Sequence, residues 1–247
     1  EEDELKKILK SDEFEFFKLL YNIETEGNFL EETTKQTNGK NIIFLKNEIE
    51  SFSEILSLDM DLIKSESIRV KEKLKKIRDK RPKPLLDDKI LTDWNSMLIS
   101  SLSKVSRISN NFDILDLAIE CNSFLKKNMV DNYDLLHCYR DGIASIDGML
   151  DDYSFYSKSL IDLYETTLDP DYLLDSFRVC EKMIFYFWDN DDGLFFSSKK
   201  GIDDLIVRQK NLLDGASPCG NSTALYSIAK LSNYFFDDNL NKISNTL

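Results

Sequence analysis

The sequence predicts an all-α core, a ring or solenoid of α-hairpins with short β-hairpins at one end. Three observations carry that reading. Polar turns at Asp87-Asp88-Lys89, at Asp151-Asp152-Tyr153 and from Asp214 to Asn221 each stand just ahead of an amphipathic helix. The helix starts near 93, 152 and 220 recur at about sixty residues, the length of a helix-pair repeat. The intervening segments carry apolar residues three and four apart, the period of a buried helical face.

Taken in order, residues 2–20 read as one helix with Leu5, Ile8, Leu9, Phe16, Leu19 and Leu20 as its stripe. Residues 23–47 are polar and irregular, with Ile42-Ile43-Phe44 as a short strand. Residues 59–80 form a charged helix with the narrow stripe Ile63, Val70, Leu74 and Ile77, so most of it faces water. Pro82 and Pro84 end it. Helix 93–109 carries Trp94, Met97, Leu98, Leu102, Val105 and Ile108 as its buried face, and helix 112–128 carries Leu115, Ala118, Cys121, Phe124 and Leu125. Residues 134–147 alternate and turn at Asp141-Gly142, a β-hairpin pattern. Helix 152–168 follows, and Pro170 opens the next helix at a position where its missing N–H costs nothing. A hairpin-like segment spans 194–208, helix 221–236 begins another pair, and Asp237-Asp238 caps its partner. Residues 1–58 read as a joining region with the first helix of the ring, and 59–247 as the ring itself, incomplete at its end. The opening and closing helical patterns read as those of a piece of a longer protein.

Composition narrows the function. With 247 residues, 42% hydrophobic, the chain suits one large core, and a net charge of -13 argues against general nucleic-acid binding. The basic run from Arg69 to Lys83 reads as a solvated helix face. The four cysteines make no C-x-x-C pair, so neither a disulfide framework nor a zinc cluster is expected. No stretch reaches the length of a membrane span, and the expectation is a cytoplasmic protein with neither metal nor cofactor.

The polar turns hold the chemistry. Asp88 and Asn95 read as site lining, Trp94 as a sugar platform or a core residue, and Asp93 as a helix cap. Of Asp151 and Asp152, one caps and the other faces the pocket. Glu165 lies at the far end of that helix and is expected to pair with Arg178. Arg208, Lys210, Asp214 and Asn221 cluster in the third turn, where they form a salt-bridged loop or bind an anion. His137, the only histidine, reads as a packed strand residue. Cys219 at a helix N-terminus is a reactive thiol or a small turn residue.

These motifs carry a resemblance. Arg81-Pro82, Asp87 through Thr92, Trp94-Asn95, Leu150 through Phe155, Leu163 through Thr167, Arg208-Gln209-Lys210 and Pro218 through Ser222 resemble the spermatogenesis-associated, thioredoxin-domain-containing family, as do Gly27-Asn28-Phe29 and Lys40-Asn41-Ile42. The family usually has Ser where Cys219 stands, Gly where Ser96 stands and a small residue where Asp93 stands. The resemblance implies an N-terminal thioredoxin-like domain, absent here, followed by an (α/α)6 toroid like that of six-hairpin glycosidases and sugar 2-epimerases, of which this chain is a part. The combined expectation is a carbohydrate-related domain binding a sugar or polyol through Trp94, Asn95, Tyr153, Arg208, Lys210, Asp214 and Asn221, with Asp88 and Asp152 as an acid and base pair. Epimerase chemistry is disfavoured by the single histidine. The rival is a non-catalytic partner domain for the thioredoxin-like module.

Overall fold

The computed structural model describes residues 1–201 and 205–246, and the chain forms two compact units, Glu1–Leu86 and Asp87–Leu247. The sequence reading divides the chain at 58/59 instead.

The first unit holds α1 (Glu2–Ile8), α2 (Ser11–Leu20), α3 (Ile49–Leu56) and α4 (Met60–Arg78). The single helix expected over 2–20 breaks at Leu9, which is extended at φ -95 and ψ 148. The Glu13 carboxylate accepts the Lys10 N–H at 2.9 Å and so begins a second helix. Leu5, Phe14, Phe17 and Leu20 pack with Phe52, Ile63 and Val70, so the narrow stripe of α4 is the part that is buried. Glu13 itself is buried and takes Lys73 at 2.6 Å and Arg69 at 2.7 Å, which fastens α2 to α4. Between them, Gly27 has φ +83, and a Cβ there would lie 2.5 Å from the Lys40 carbonyl, so both conformation and space demand glycine. Ile42-Ile43-Phe44 forms no ladder; the segment lies against 20–22 through Asn22 N–H to Phe44 O at 3.0 Å and Lys46 N–H to Leu20 O at 3.1 Å.

The second unit holds β1 (Ile90–Leu91), α5 (Thr92–Ser109), α6 (Phe112–Asn128), β2 (Val130–Asp131), β3 (Asp134–Arg140), β4 (Ile143–Asp147), α7 (Leu150–Thr167), α8 (Pro170–Phe187), β5 (Trp188–Asp189), β6 (Leu194–Phe195), α9 (Gly220–Phe235) and α10 (Asp238–Thr246). The helices pair as α5 with α6, α7 with α8 and α9 with α10, while α5 and α9 flank α7. Each pair is joined alike. A left-handed residue ends the first helix, at Asn110, Leu168 and Phe236, and the next residue, Asn111, Asp169 or Asp237, caps the second through its side chain. Helix α7 is buried almost all round, with Leu150, Tyr153, Tyr156, Leu160 and Leu163 in a core shared with Leu125, Met183, Phe187, Ile228 and Leu231.

Helix α5 reverses the expected face. Its buried residues are Thr92, Ser96, Ile99, Ser100, Ser103 and Ser106, whereas Trp94, Leu98, Val105 and Ile108 are exposed. Serine suits a tight helix contact because it is small and satisfies its hydroxyl on the preceding turn: Ser96 donates to Thr92 O at 2.6 Å and Ser103 to Ile99 O at 2.8 Å.

The hairpin over 134–147 forms as read, with Leu136 opposite Asp147 and Arg140 opposite Ile143 across the Asp141-Gly142 turn. Strand β1 adds to β3 with Ile90 opposite Tyr139 and Leu91 opposite Cys138, which sets the start of α5 beside His137. The segment expected over 194–208 includes 202–204, outside the described residues; in the described part Leu194 and Phe195 pair back with Asp189 and Trp188.

Candidate functional site

The starts of the three inner helices α5, α7 and α9 come together, and acidic residues fill the junction. Asp152, in the first turn of α7, is wholly buried. One of its oxygens accepts the Asp93 N–H at 3.1 Å, at the start of α5, and the other accepts the Met149 N–H at 2.8 Å. His137 Nδ1 from β3 lies 3.0 and 3.1 Å from the two oxygens. A carboxylate only accepts, so Nδ1 carries the proton and Nε2 is left for other partners. The hydrogen bond to Asp152 raises the His137 pKa above its ordinary value.

Asp151 meets α9. A Cβ on Gly220 would collide with the Asp151 carboxylate and lie 3.1 Å from the Leu150 side chain, so glycine is what lets the helix start approach. The Asp151 carboxyl makes no side-chain hydrogen bond among the described residues. Burial, then the charges of Asp152 and Asp93, push it up to about 6. Burial and Asp152 also raise Asp93, whose carboxylate accepts the Trp94 N–H at 2.7 Å. Asp93, His137 and Asp152 each offer a ligand atom within 4.8 Å of the others, a spacing that can hold a cation. His137 and Asp152 of that set are also a hydrogen-bonded pair through Nδ1.

The residues singled out from the sequence fall differently. Asp152 and Tyr153 lie at the junction, but Tyr153 is buried and its hydroxyl accepts the Leu135 N–H at 3.0 Å. Asp88 pairs with Arg140 at 2.8 Å and is half exposed. Trp94 is 63% exposed, so it is not core. Asn95 donates to Leu91 O at 2.8 Å. Arg208 donates to the Tyr186 carbonyl at 3.0 Å and stacks 4.0 Å from the Phe196 ring. Lys210 pairs with Asp189 at 2.5 Å and with Asp192. Asp214 accepts the Cys219 N–H at 2.8 Å, and Asn221 is bonded in both directions to the Phe195 backbone. Cys219 is buried and donates to Asn211 O at 3.0 Å, the behaviour of a turn residue. Glu165 pairs with Arg107 at 3.0 Å and with Lys230, not with Arg178, which meets Glu181, because α5 and α9 flank α7 along its length. Asp93, Asp151 and His137 thus join Asp152 where the sequence reading had set Asp88.

No family model matches the chain. Among curated proteins it is 26% identical to human spermatogenesis-associated protein 20 over 227 residues, covering 87% of this chain and 29% of that protein. The mouse protein of the same name gives 26% over 227 residues, with the same coverage. An uncharacterised protein of Caenorhabditis elegans is 28% identical over 236 residues, 92% of this chain and 32% of that one. The chain resembles the spermatogenesis-associated proteins, as its motifs indicated. It spans under a third of the length of these relatives.

Solved structures supply the fold. A sugar epimerase from a ruminal bacterium matches at TM-score 0.51 and 12% identity, covering 99% of this chain and 69% of that one. The cellobiose 2-epimerase of Spirochaeta thermophila gives TM-score 0.51 at 11% identity over 64% of this chain and 42% of that one. A GH76 α-mannanase of Bacteroides thetaiotaomicron gives 0.50 at 13% over 92% and 63%. The fold class is that of the six-hairpin glycosidase and epimerase toroids. Among the described residues no helix is long and apolar enough to cross a membrane.

Proposed function

We propose that the junction of α5, α7 and α9 is the reaction centre of a carbohydrate-processing domain that works by acid–base chemistry. The observation that carries this reading is Asp151: a half-buried carboxyl without a hydrogen-bond partner among the described residues, held at about 6 beside Asp93 and the Asp152–His137 pair. Such a carboxyl stays partly protonated near neutrality and can deliver a proton to a glycosidic oxygen. Asp93 is the companion carboxylate. Asp152 is a positioning residue, since its oxygens are engaged by His137, Asp93 N–H and Met149 N–H. Asp88, tied to Arg140, takes no proton-transfer role in this account. The names of the epimerase and mannanase neighbours agree with a sugar or polyol ligand. The test is turnover of an oligosaccharide panel by the full-length protein and by its Asp151→Asn variant. Turnover lost in the variant supports the reading, and turnover unchanged overturns it.

A second reading has its own support. Tyr153, Arg208, Lys210, Asp214 and Asn221 all direct their polar groups to internal partners, as a scaffold would. A non-catalytic partner of a thioredoxin-like module would show neither glycan binding nor turnover in the full-length protein.

A further inference from the structure

Helices α5, α7 and α9 line an open pocket of about 360 Å³, with Met97, Ser101, Lys104, Lys158, Ser222 and Tyr226 among its walls. That volume suits a small ligand. Both lysines reach one carboxylate: Lys158 Nζ lies 2.8 Å and Lys104 Nζ 3.5 Å from Asp162, which also accepts the Ser100 hydroxyl. Asp162 is wholly buried, and one ammonium group already neutralises it. Among the described residues no acidic side chain lines the pocket, so there the second ammonium group stands in excess, in a chain whose net charge is -13. Lys104 is the more available of the two, with its side chain 39% exposed against 24% for Lys158. Ser101, Ser222, Thr223, Phe155 and Tyr226 complete the wall.

The pocket adjoins the reaction centre. Met97 follows Asp93, and Phe155 follows Asp151, by four residues, about one helical turn and about 6 Å along the axis. Lys158 follows Asp151 by two turns, about 10 Å.

We propose that Lys104 and Lys158 bind the anionic group, a carboxylate or a phosphate, of a small ligand in this pocket. The placement beside Asp151 rests on the carbohydrate reading above and deepens it: the ligand is an acidic sugar whose anion is held by a lysine two helical turns along α7 from the proton donor. The extra charge-assisted contacts predict that anionic ligands bind at least about tenfold more tightly than their neutral counterparts.

The test is calorimetric titration of the full chain with glucose, glucuronate, glucose 6-phosphate and inorganic phosphate. The expected result is a preference of about tenfold or more for at least one anionic sugar over glucose. It is abolished by Lys104→Met and retained by Lys104→Arg, each checked for folding by circular dichroism. The two anionic sugars separate a carboxylate from a phosphate ligand. Should Lys104→Met fail to fold, wild-type binding of the anionic sugars must weaken with added salt while that of glucose does not. Glucose binding as tight as that of both anions, or an anion preference that survives Lys104→Met, overturns the inference and leaves the carbohydrate reading standing. Lys104-dependent binding of inorganic phosphate without binding of any sugar supports the anion site and overturns the carbohydrate reading. Absence of any anion binding overturns the inference.

Discussion

The wholly buried carboxylate of Asp152 holds Nδ1 of His137 at 3.0 Å. The same carboxylate accepts the N–H of Asp93, so one side chain from α7 fixes both the only histidine and the start of α5. A single histidine gives a single imidazole titration in proton NMR. Its pKa lies above the ordinary value in the wild type, and Asp152→Asn returns it toward or below that value. Loss of this buried, charged network also lowers stability by about 2–4 kcal/mol in denaturant unfolding.

Asp151→Asn has the opposite effect on stability at neutral pH. The folded-state pKa of Asp151, about 6, exceeds that of a free aspartate, so the folded state resists its ionisation. Stability therefore falls as pH rises from about 4 through about 6. The contribution of His137, also raised, is full below its unfolded value and fades as pH climbs through its folded one. Thermal melts at pH 8 place Asp151→Asn above the wild type, and melts at pH 4 place the two together. A variant less stable than the wild type at both values contradicts the assignment.

In the first unit the sign is reversed. The side-chain bond from Lys73, then the Lys10 N–H and Arg69, hold Glu13 down at about 2. That stability is present above the unfolded glutamate value and is lost as pH falls toward about 2. The protection factors of the α2 amides, their exchange relative to the unfolded chain at the same pH, fall over that range in the wild type. In Glu13→Gln protection is lower at neutral pH and has little left to lose in acid.

Gly220→Ala is destabilising although alanine is the better helix former. The added methyl meets the Asp151 carboxylate and the Leu150 side chain, an overpacking worth about 1–3 kcal/mol. Because the clash is with Asp151, the double variant Gly220→Ala with Asp151→Ala recovers much of the loss. Additive losses in that cycle contradict the close approach.

The repeat was legible because helix starts, apolar periods and turn residues agree at 93, 152 and 220. The buried face of α5 was not, because the pattern scores serine as polar. Ser96 and Ser103 hide that polarity by bonding to the turn before them, and the helix then buries its small face and exposes Trp94 and Leu98. The link of a left-handed residue followed by a capping Asn or Asp, at 110–111, 168–169 and 236–237, was open to reading and marks the repeat more sharply than the polar turns do. Asp152 was found by its place in a polar turn. His137 was read as packed, and Asp93 as a cap, because their meeting depends on β1 pairing with β3 across more than forty residues, which no local pattern encodes. Asp88 was read as site lining and half of the acid–base pair, but Arg140 at the end of β3 pairs with it.

The central claim is that Asp151 is a carboxyl poised to give up a proton near neutrality, and its own titration tests that most directly. Carbon-13 NMR of aspartate side-chain carboxyls, with the Asp151 signal assigned by its absence in Asp151→Asn, follows that group alone. The account predicts a midpoint near 6. A midpoint at or below the ordinary aspartate value of about 4 would contradict it.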